Sequence, residues 1–405
     1  MLEADDKSLV CRVCREENVL NLLDLGKQPF CNRFLRSKDE EEDTYHLQLG
    51  QCKKCSVVQL IDPPPYSDIV PRGEEIRYTE PEKHLDDMVE TIAKLPGVTE
   101  DSRVMGVSYK EDSALERFRN QGFVNTFRLD IGADLGIENR NAGIESIQDA
   151  LTPRKANEIA AQKNKADVVI ARHILEHSHN PLGFLDALKN LVKEKGYIVL
   201  EVPDCSDSLK MSDYTMIWEE HILSFTPQSF QAVLKNEGLR VVRHKIYSYN
   251  YENSLVGIVQ PHATRADSYK RNDEDFELGA AFAQNFRIEK DKVGAFFRRY
   301  CEKGRKIAVF GSGHLSAMYI NLMGIGKEMQ FVVNDNPKKQ GLYMPGSKLP
   351  IVGSQRLLED NINLCLLGLS PESEAKVVNA RQDFRNAGGK FASILKKSKY
   401  CLQYD

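Results

Sequence analysis

Apolar positions fall in short runs that alternate with helix-spaced stretches over most of the chain. Between about residue 80 and residue 262 the runs Arg103–Val107, Val124–Leu129, Asp167–Ala171 and Tyr197–Val202 are brief and nearly unbroken. Between them, apolar residues recur at helical spacing in Ser113–Gln121, closed by Gly122, in Pro181–Val192, which ends ahead of Gly196, and in Pro227–Asn236, closed by Gly238. A short run without strict in–out alternation fits a strand buried on both faces. Strands and helices in turn predict a parallel sheet with helices on either side. The pattern changes on both flanks. Residues 1–70 are turn-rich and close on Asp62-Pro63-Pro64-Pro65, which continues neither a helix nor a central strand. Residues 263–300 are polar, helix-prone and free of proline, predicting a linker and then a helix. Lys306–Phe310 opens a second alternating segment that runs to about residue 395. Three regions are expected: 1–70, 71–262 and 263–405.

Composition narrows the function classes. Of 405 residues 41% are hydrophobic, enough for sizeable cores, and the net charge of −4 disfavours a partner held by phosphate neutralisation. No nucleic-acid partner is expected. No stretch approaches a membrane-spanning length of apolar residues, and Met1–Lys7 is acidic without an apolar core, so neither a membrane partner nor a signal peptide is expected. These readings place the protein in the cytoplasm.

Nine cysteines are present, an odd number that does not suit a disulfide framework. Four of them form Cys11-Arg-Val-Cys14 and Cys52-Lys-Lys-Cys55, separated by 37 residues. Two such turns can bring four thiolates to one tetrahedral zinc ion. Four thiolates leave no open position, so the expected zinc is structural.

A parallel sheet places its ligand site beyond the carboxyl ends of its strands. Those ends offer Gly106-Val-Ser108-Tyr109-Lys110-Glu111-Asp112, then Asp130, then Arg172-His173-Ile-Leu-Glu176-His177, then Glu201-Val-Pro203-Asp204. Gly106 allows close backbone approach, and a carboxylate at Asp130 suits a ribose diol. Trp218-Glu219-Glu220-His221 follows the fourth run, and a Glu-His pair can do proton chemistry. Trp218, the sole tryptophan, serves a core equally well. Phe310-Gly311-Ser312-Gly313-His314 is a partial dinucleotide-type turn with two glycines.

Together these landmarks resemble the sugar C-methyltransferase family of deoxysugar biosynthesis. The resemblance runs from Cys11-x-x-Cys14, Leu25-Gly26, Asn32-Arg33-Phe34 and Cys52-x-x-Cys55 through Ile170-Ala-Arg172-His173, Glu176-His177, Glu201-Val-Pro203 and Glu220-His221. It continues to Val333-Asn-Asp335-Asn336-Pro337, Pro345-Gly346 and Pro350-Ile351-Val352, covering nearly the whole chain in order. It implies a class I methyltransferase-like doubly wound α/β sheet, preceded by a small zinc-binding module and followed by a second Rossmann-like α/β domain. It implies S-adenosylmethionine and zinc as cofactors and a nucleotide-linked keto-deoxysugar as substrate. Methylation then occurs at a carbon next to the ketone, with His221 as general base and Glu220 beside it. Gly106, Ser108, Asp112, Asp130, Arg172 and His173 are expected at the cofactor, and His177, Trp218 and Asn253 at the sugar nucleotide. The C-terminal domain is implied to help hold that nucleotide, where Lys338 and Tyr343 are candidate contacts. Three positions depart from the family pattern. Trp218 stands for a tyrosine, Gly106–Asp112 keeps one glycine of a glycine-rich loop, and Asn250–Leu255 replaces a His-Gly-Gly-Ser segment. The altered loop and Trp218 favour the alternative, a non-catalytic sugar-nucleotide or partner-binding protein of the same descent, while the retained His173, His177, Glu220 and His221 favour the methyltransferase.

Overall fold

The computed structural model describes residues 9–70, 82–139, 142–262 and 269–404. Met1–Lys7 and the first residues of the expected linker, 263–268, lie outside them. The chain forms two compact units. One comprises Met1–Asn21, Gly50–Ser206 and Glu220–Glu277, the other Leu22–Leu49, Asp207–Glu219 and Leu278–Asp405. Among the described residues no helix is long and apolar enough to cross a membrane.

The turn-rich opening contains more strand than its sequence suggests. β1 (Val19–Pro29) and β2 (Thr44–Cys52) are long, and β3 (Val58–Ile61) follows the second cysteine pair. In β2, Tyr45, Leu47 and Leu49 are buried while Thr44 and His46 are exposed. That two-residue period is masked in β1 by Asn21, Asp24 and Gly26.

The central sheet of the first unit is built from β4 (Val104–Gly106), β5 (Thr126–Arg128), β6 (Ala166–Arg172) and β7 (Val192–Asp204). A short β8 (Leu223–Ser224) comes next, and then β9 (Leu239–Tyr247) and β10 (Asn253–Pro261) complete the sheet. The order is β5-β4-β6-β7-β10-β9. β4 runs parallel to β5 and β6, and β6 parallel to β7. β10 is antiparallel to both β7 and β9. This is the class I methyltransferase-like α/β arrangement, and the chain reverses its winding direction between β4 and β6, where such sheets open a crevice. The antiparallel pair was not expected from a purely parallel reading. β9 is an edge strand with mostly exposed positions, and its Arg240, Arg243 and Lys245 blur any apolar run.

Three helices of this unit begin the same way, with a capping side chain followed by proline. They are Pro153–Lys163 after Thr152, Pro181–Leu191 after Asn180, and Pro227–Asn236 after Thr226. Proline at the first helical position has no amide to leave unpaired, and the preceding oxygen caps the next free amide. The core on one face of the sheet joins Leu85, Met88 and Ile92 of the helix His84–Ala93 with Leu115 and Phe118 of the helix Asp112–Asn120 and Val104, Ile170 and Val199 of the strands.

β8 has a positioning role. It pairs with β3 through Val58–Ser224 and Gln59–Leu223, while Leu60 N donates to Ile222 O at 2.9 Å. On its other side Cys205 N donates to Phe225 O at 2.9 Å, at the end of β7. The segment carrying Glu220 and His221 is thereby stapled between the zinc module and the central sheet.

The second unit contains β11 (Ile307–Phe310), β12 (Met329–Val333), β13 (Ile351–Val352), β14 (Leu364–Leu367) and β15 (Lys390–Ser393). They are parallel in the order β13-β12-β11-β14-β15, a doubly wound sheet. Gly311 sits at φ +108°, and a Cβ there would meet Gly368 O at 2.5 Å. Its glycine is required by a close crossing of two loops of the sheet.

Candidate functional site

Each cysteine pair makes a tight turn that ends on a residue in the left-handed region. Arg15 has φ 61° and Ser56 φ 62°. Arg15 N donates to Cys11 O and Ser56 N to Cys52 O, each at 3.0 Å. The two turns are local copies of each other, and Lys54 N also donates to Cys52 Sγ at 3.3 Å. All four sulfurs lie within 4.8 Å of one another, with Cys11–Cys55 at 3.6 Å and Cys14–Cys52 at 3.4 Å. A tetrahedron of sulfurs roughly 2.3 Å from zinc has edges of about 3.8 Å, so the donor set fits that ion. Hydrogen bonds from Cys11, Cys14 and Cys55 hold the Cys52 thiol below its ordinary range.

The knuckles also reach the sheet. Arg12 Nη1 donates to His179 O at 3.1 Å and Arg15 Nη2 to Asn180 Oδ1 at 2.9 Å. His179 and Asn180 end the loop that follows β6, the loop that carries His173, Glu176 and His177.

At the carboxyl ends of β4 and β6 a buried charge network has formed. Glu111 is fully buried and accepts from Ser108 N at 2.5 Å and Arg172 N at 2.7 Å. Burial pushes its carboxyl up to about 7, against those amide bonds. Arg172 Nε donates to Glu201 Oε2 at 2.5 Å, and its Nη1 to Lys110 O at 2.5 Å. Glu201 Oε1 lies 2.8 Å from His84 Nε2 and 3.1 Å from His173 Nε2. Burial would raise the Glu201 carboxyl, but Arg172 and His173 hold it well below the ordinary range. A Cβ at Gly106 would meet Glu111 Cβ at 2.7 Å, so this glycine admits the turn that carries Glu111. Ser108 and Glu111 complete a capping box, and Asp112 pairs with Arg128 at 2.5 Å.

Two features suit S-adenosylmethionine here. Arg172 Nη2 is buried and makes no hydrogen bond, an orphaned donor that matches a carboxylate. Asp130 is exposed at the end of β5, and its carboxyl is lowered by the Ala133 and Gly132 amides, which reach Oδ1 at 2.7 and 2.9 Å. Its ionised form is an acceptor suited to ribose hydroxyls.

A second cluster gathers around His177. His177 Nδ1 lies 2.9 Å from Glu145 Oε1, and Nε2 3.8 Å from Glu176 Oε1. The His177 and His221 rings meet edge-on, with centroids 5.0 Å apart. Glu145, His177 and Glu220 each offer a ligand atom within 4.8 Å of the others. Burial alone would lower the His177 pKa, but Glu145 outweighs it and raises the value. The fold thus brings His177, Glu220 and His221 together and adds Glu145, which the sequence did not single out. Glu145 lies near the start of the helix Ile144–Ala150, in a stretch without motif or strong apolar period.

The other two expected substrate residues have local contacts of their own. Asn253 begins β10 opposite Asp204 and accepts from Tyr249 N at 3.1 Å. Trp218 belongs to the second unit, where it stacks on His314 with ring centroids 4.1 Å apart. Burial lowers the His314 pKa to about 4. Next to Trp218, the buried Glu219 accepts from Cys31 N at 2.6 Å and Tyr45 Oη at 3.2 Å, which fixes that segment within the same unit.

Comparison with known proteins matches three family models along the chain. A zinc binding domain covers residues 11–69, a methyltransferase domain residues 81–244, and a C-methyltransferase C-terminal domain residues 262–395. The C-methyltransferase NovU of Streptomyces niveus is 23% identical across an alignment 407 positions long that covers 94% of this chain and 94% of that one. Among solved structures, 1,6-didemethyltoxoflavin-N1-methyltransferase of Burkholderia thailandensis matches at 12% identity and TM-score 0.30, over 45% of this chain and 79% of that one. An S-adenosylmethionine-dependent methyltransferase of Clostridium acetobutylicum matches at 12% and 0.31, over 45% and 93%. Likenesses this low say nothing of chemistry.

Proposed function

The chain belongs to the S-adenosylmethionine-dependent C-methyltransferases that open with a zinc-binding domain, and from that premise we propose that it methylates a nucleotide-linked keto-deoxysugar at a carbon adjacent to the ketone, with His221 as general base. Bound S-adenosylmethionine supplies an electrophilic methyl group. The chain's own residues handle the proton. A ketone acidifies the neighbouring C–H, and an imidazole with an ordinary pKa near ~6.5 is suited to remove that proton near neutral pH. The sugar carbon then carries the electron pair that forms the new C–C bond. Gly106, Ser108, Asp112, Asp130, Arg172 and His173 are assigned to the cofactor, with Arg172 Nη2 toward its carboxylate and Asp130 toward its ribose. His177, Asn253 and Trp218 are assigned to the sugar nucleotide, and Glu220 to orienting His221.

The observation that carries the reading is the edge-on contact of His221 with His177, whose Nδ1 lies 2.9 Å from Glu145 Oε1. A base held by packing keeps its nitrogen aimed at one place. The test is solvent deuterium exchange at the acidic carbon of nucleotide-linked keto-deoxysugars, followed by mass spectrometry. His221→Ala is expected to slow exchange and turnover by ~10²–10⁴-fold while zinc content is retained. Exchange by His221→Ala at the wild-type rate removes His221 as the base. Wild-type protein that binds the sugar nucleotide yet never exchanges or methylates it favours the binding-protein alternative.

A further inference from the structure

We propose that Glu176, His177 and His221 form a binding site for a divalent first-row transition metal ion, separate from the four-cysteine zinc. One ligand atom from each lies within 4.8 Å of the others. Two imidazoles and one carboxylate are donors that such ions accept, and three protein ligands leave positions open.

The independent observation is the state of Glu176. Its side chain is 1% exposed, yet neither carboxylate oxygen has a hydrogen-bond partner. The nearest imidazole nitrogens, His173 Nδ1 and His177 Nε2, stand at 3.6 and 3.8 Å, beyond hydrogen-bond reach. A buried carboxylate without donors is costly, and a divalent cation would satisfy both oxygens. The surroundings are those of a ligating histidine. Metal-bound imidazoles commonly direct their other ring nitrogen at a carboxylate, which fixes the tautomer. Glu145 Oε1 stands on that side, 2.9 Å from His177 Nδ1 as an ion-pair contact outside hydrogen-bond geometry, and Nε2 faces Glu176. The near-perpendicular His177 and His221 rings, at 85°, can present nitrogens to one ion without stacking. Glu145 and Glu220 add negative charge close by.

Occupancy has a functional consequence, and this part rests on the general-base reading of His221. A nitrogen lone pair donated to a metal cannot accept a proton, so the filled site blocks proton abstraction. Metal and substrate proton then compete for one imidazole.

The test uses the full-length protein with its cysteine zinc in place, dialysed against excess Zn2+ and assayed for zinc by elemental analysis. Wild type is expected to hold two zinc ions per chain, and Glu176→Gln and His177→Ala one each. The one that remains, lost in Cys52→Ser, reports that the variants are folded. One zinc in wild type at saturation overturns the site, as does a second zinc retained in both variants. Solvent exchange at the substrate's acidic carbon is followed in parallel. It is expected to fall at least ~10-fold as the second zinc binds to wild type. A second zinc that binds through these residues and leaves exchange untouched upholds the site and instead removes His221 as the base.

Discussion

Glu201 and Glu176 are both buried carboxylates at the carboxyl end of the same sheet, and they live in opposite circumstances. Glu201 is hydrogen-bonded by Arg172 at 2.5 Å and by His173 at 3.1 Å, with His84 Nε2 an ion-pair contact at 2.8 Å. Glu176, on the turn Leu175–His177 just beyond β6, has no hydrogen-bond partner on either oxygen. Low dielectric magnifies both situations, since a hydrogen-bonded buried carboxylate is strongly held and one left without hydrogen bonds is costly. The two sites therefore divide the labour of this sheet end. The Glu111–Arg172–Glu201 network ties the loops after β4 and β6 into a rigid floor. In the Glu176–His177–His221 cluster the Glu176 carboxylate is left without hydrogen bonds.

The largest test of this contrast removes the scaffold beneath both. Cys52→Ser should abolish zinc binding at the four-cysteine site, and structural zinc sites carry about 10–16 kcal/mol of apparent binding energy in small peptides. Because Arg12 and Arg15 of the first knuckle bond His179 and Asn180, amide hydrogen exchange should accelerate in residues 173–191 as well as in the module. Acceleration confined to the cysteine turns would show that the knuckles do not brace the His177 loop.

A direct comparison of the two carboxylates comes next. Glu201→Ala leaves Arg172 buried without its main counter-charge and should cost about 3–5 kcal/mol in denaturant unfolding. Glu176→Gln breaks no hydrogen bond and should cost no more than ~1 kcal/mol. Equal losses would erase the distinction between a satisfied and an unsatisfied buried acid.

The smallest expected effect is a pH dependence within the rigid floor. Burial raises the Glu111 carboxyl to about 7, from roughly 4.3 in the unfolded chain. A raised carboxyl contributes stability that is complete below the unfolded value and is lost as pH rises through the folded one. Glu111→Gln carries no such proton. Its melting temperature relative to wild type should therefore climb between pH ~4.3 and ~7 and level off above. A flat difference across that range would mean Glu111 is ionised throughout and its amide bonds outweigh burial.

Some of this was legible in the chain alone. Two CxxC turns set four sulfurs by local geometry, because the two-residue spacing and one left-handed residue are enough to aim both thiols of a pair. Short apolar runs located β4, β6 and β7, and the rule for parallel sheets then put Gly106, Asp130, Arg172 and His173 at the strand ends. The antiparallel β9 was hidden by Arg240, Arg243 and Lys245, since an edge strand needs no continuous apolar run. Tertiary structure alone decided which charges meet. Glu145 reaches His177 from a helix whose sequence carries no motif, and Glu111 reaches Arg172 from a different strand's loop. Trp218 stacks on His314 by the packing of the second unit. Spacing encodes what a few consecutive residues can do. Burial, and with it the pairing or isolation of a charge, depends on elements that are distant in sequence and fixed only when the sheet closes.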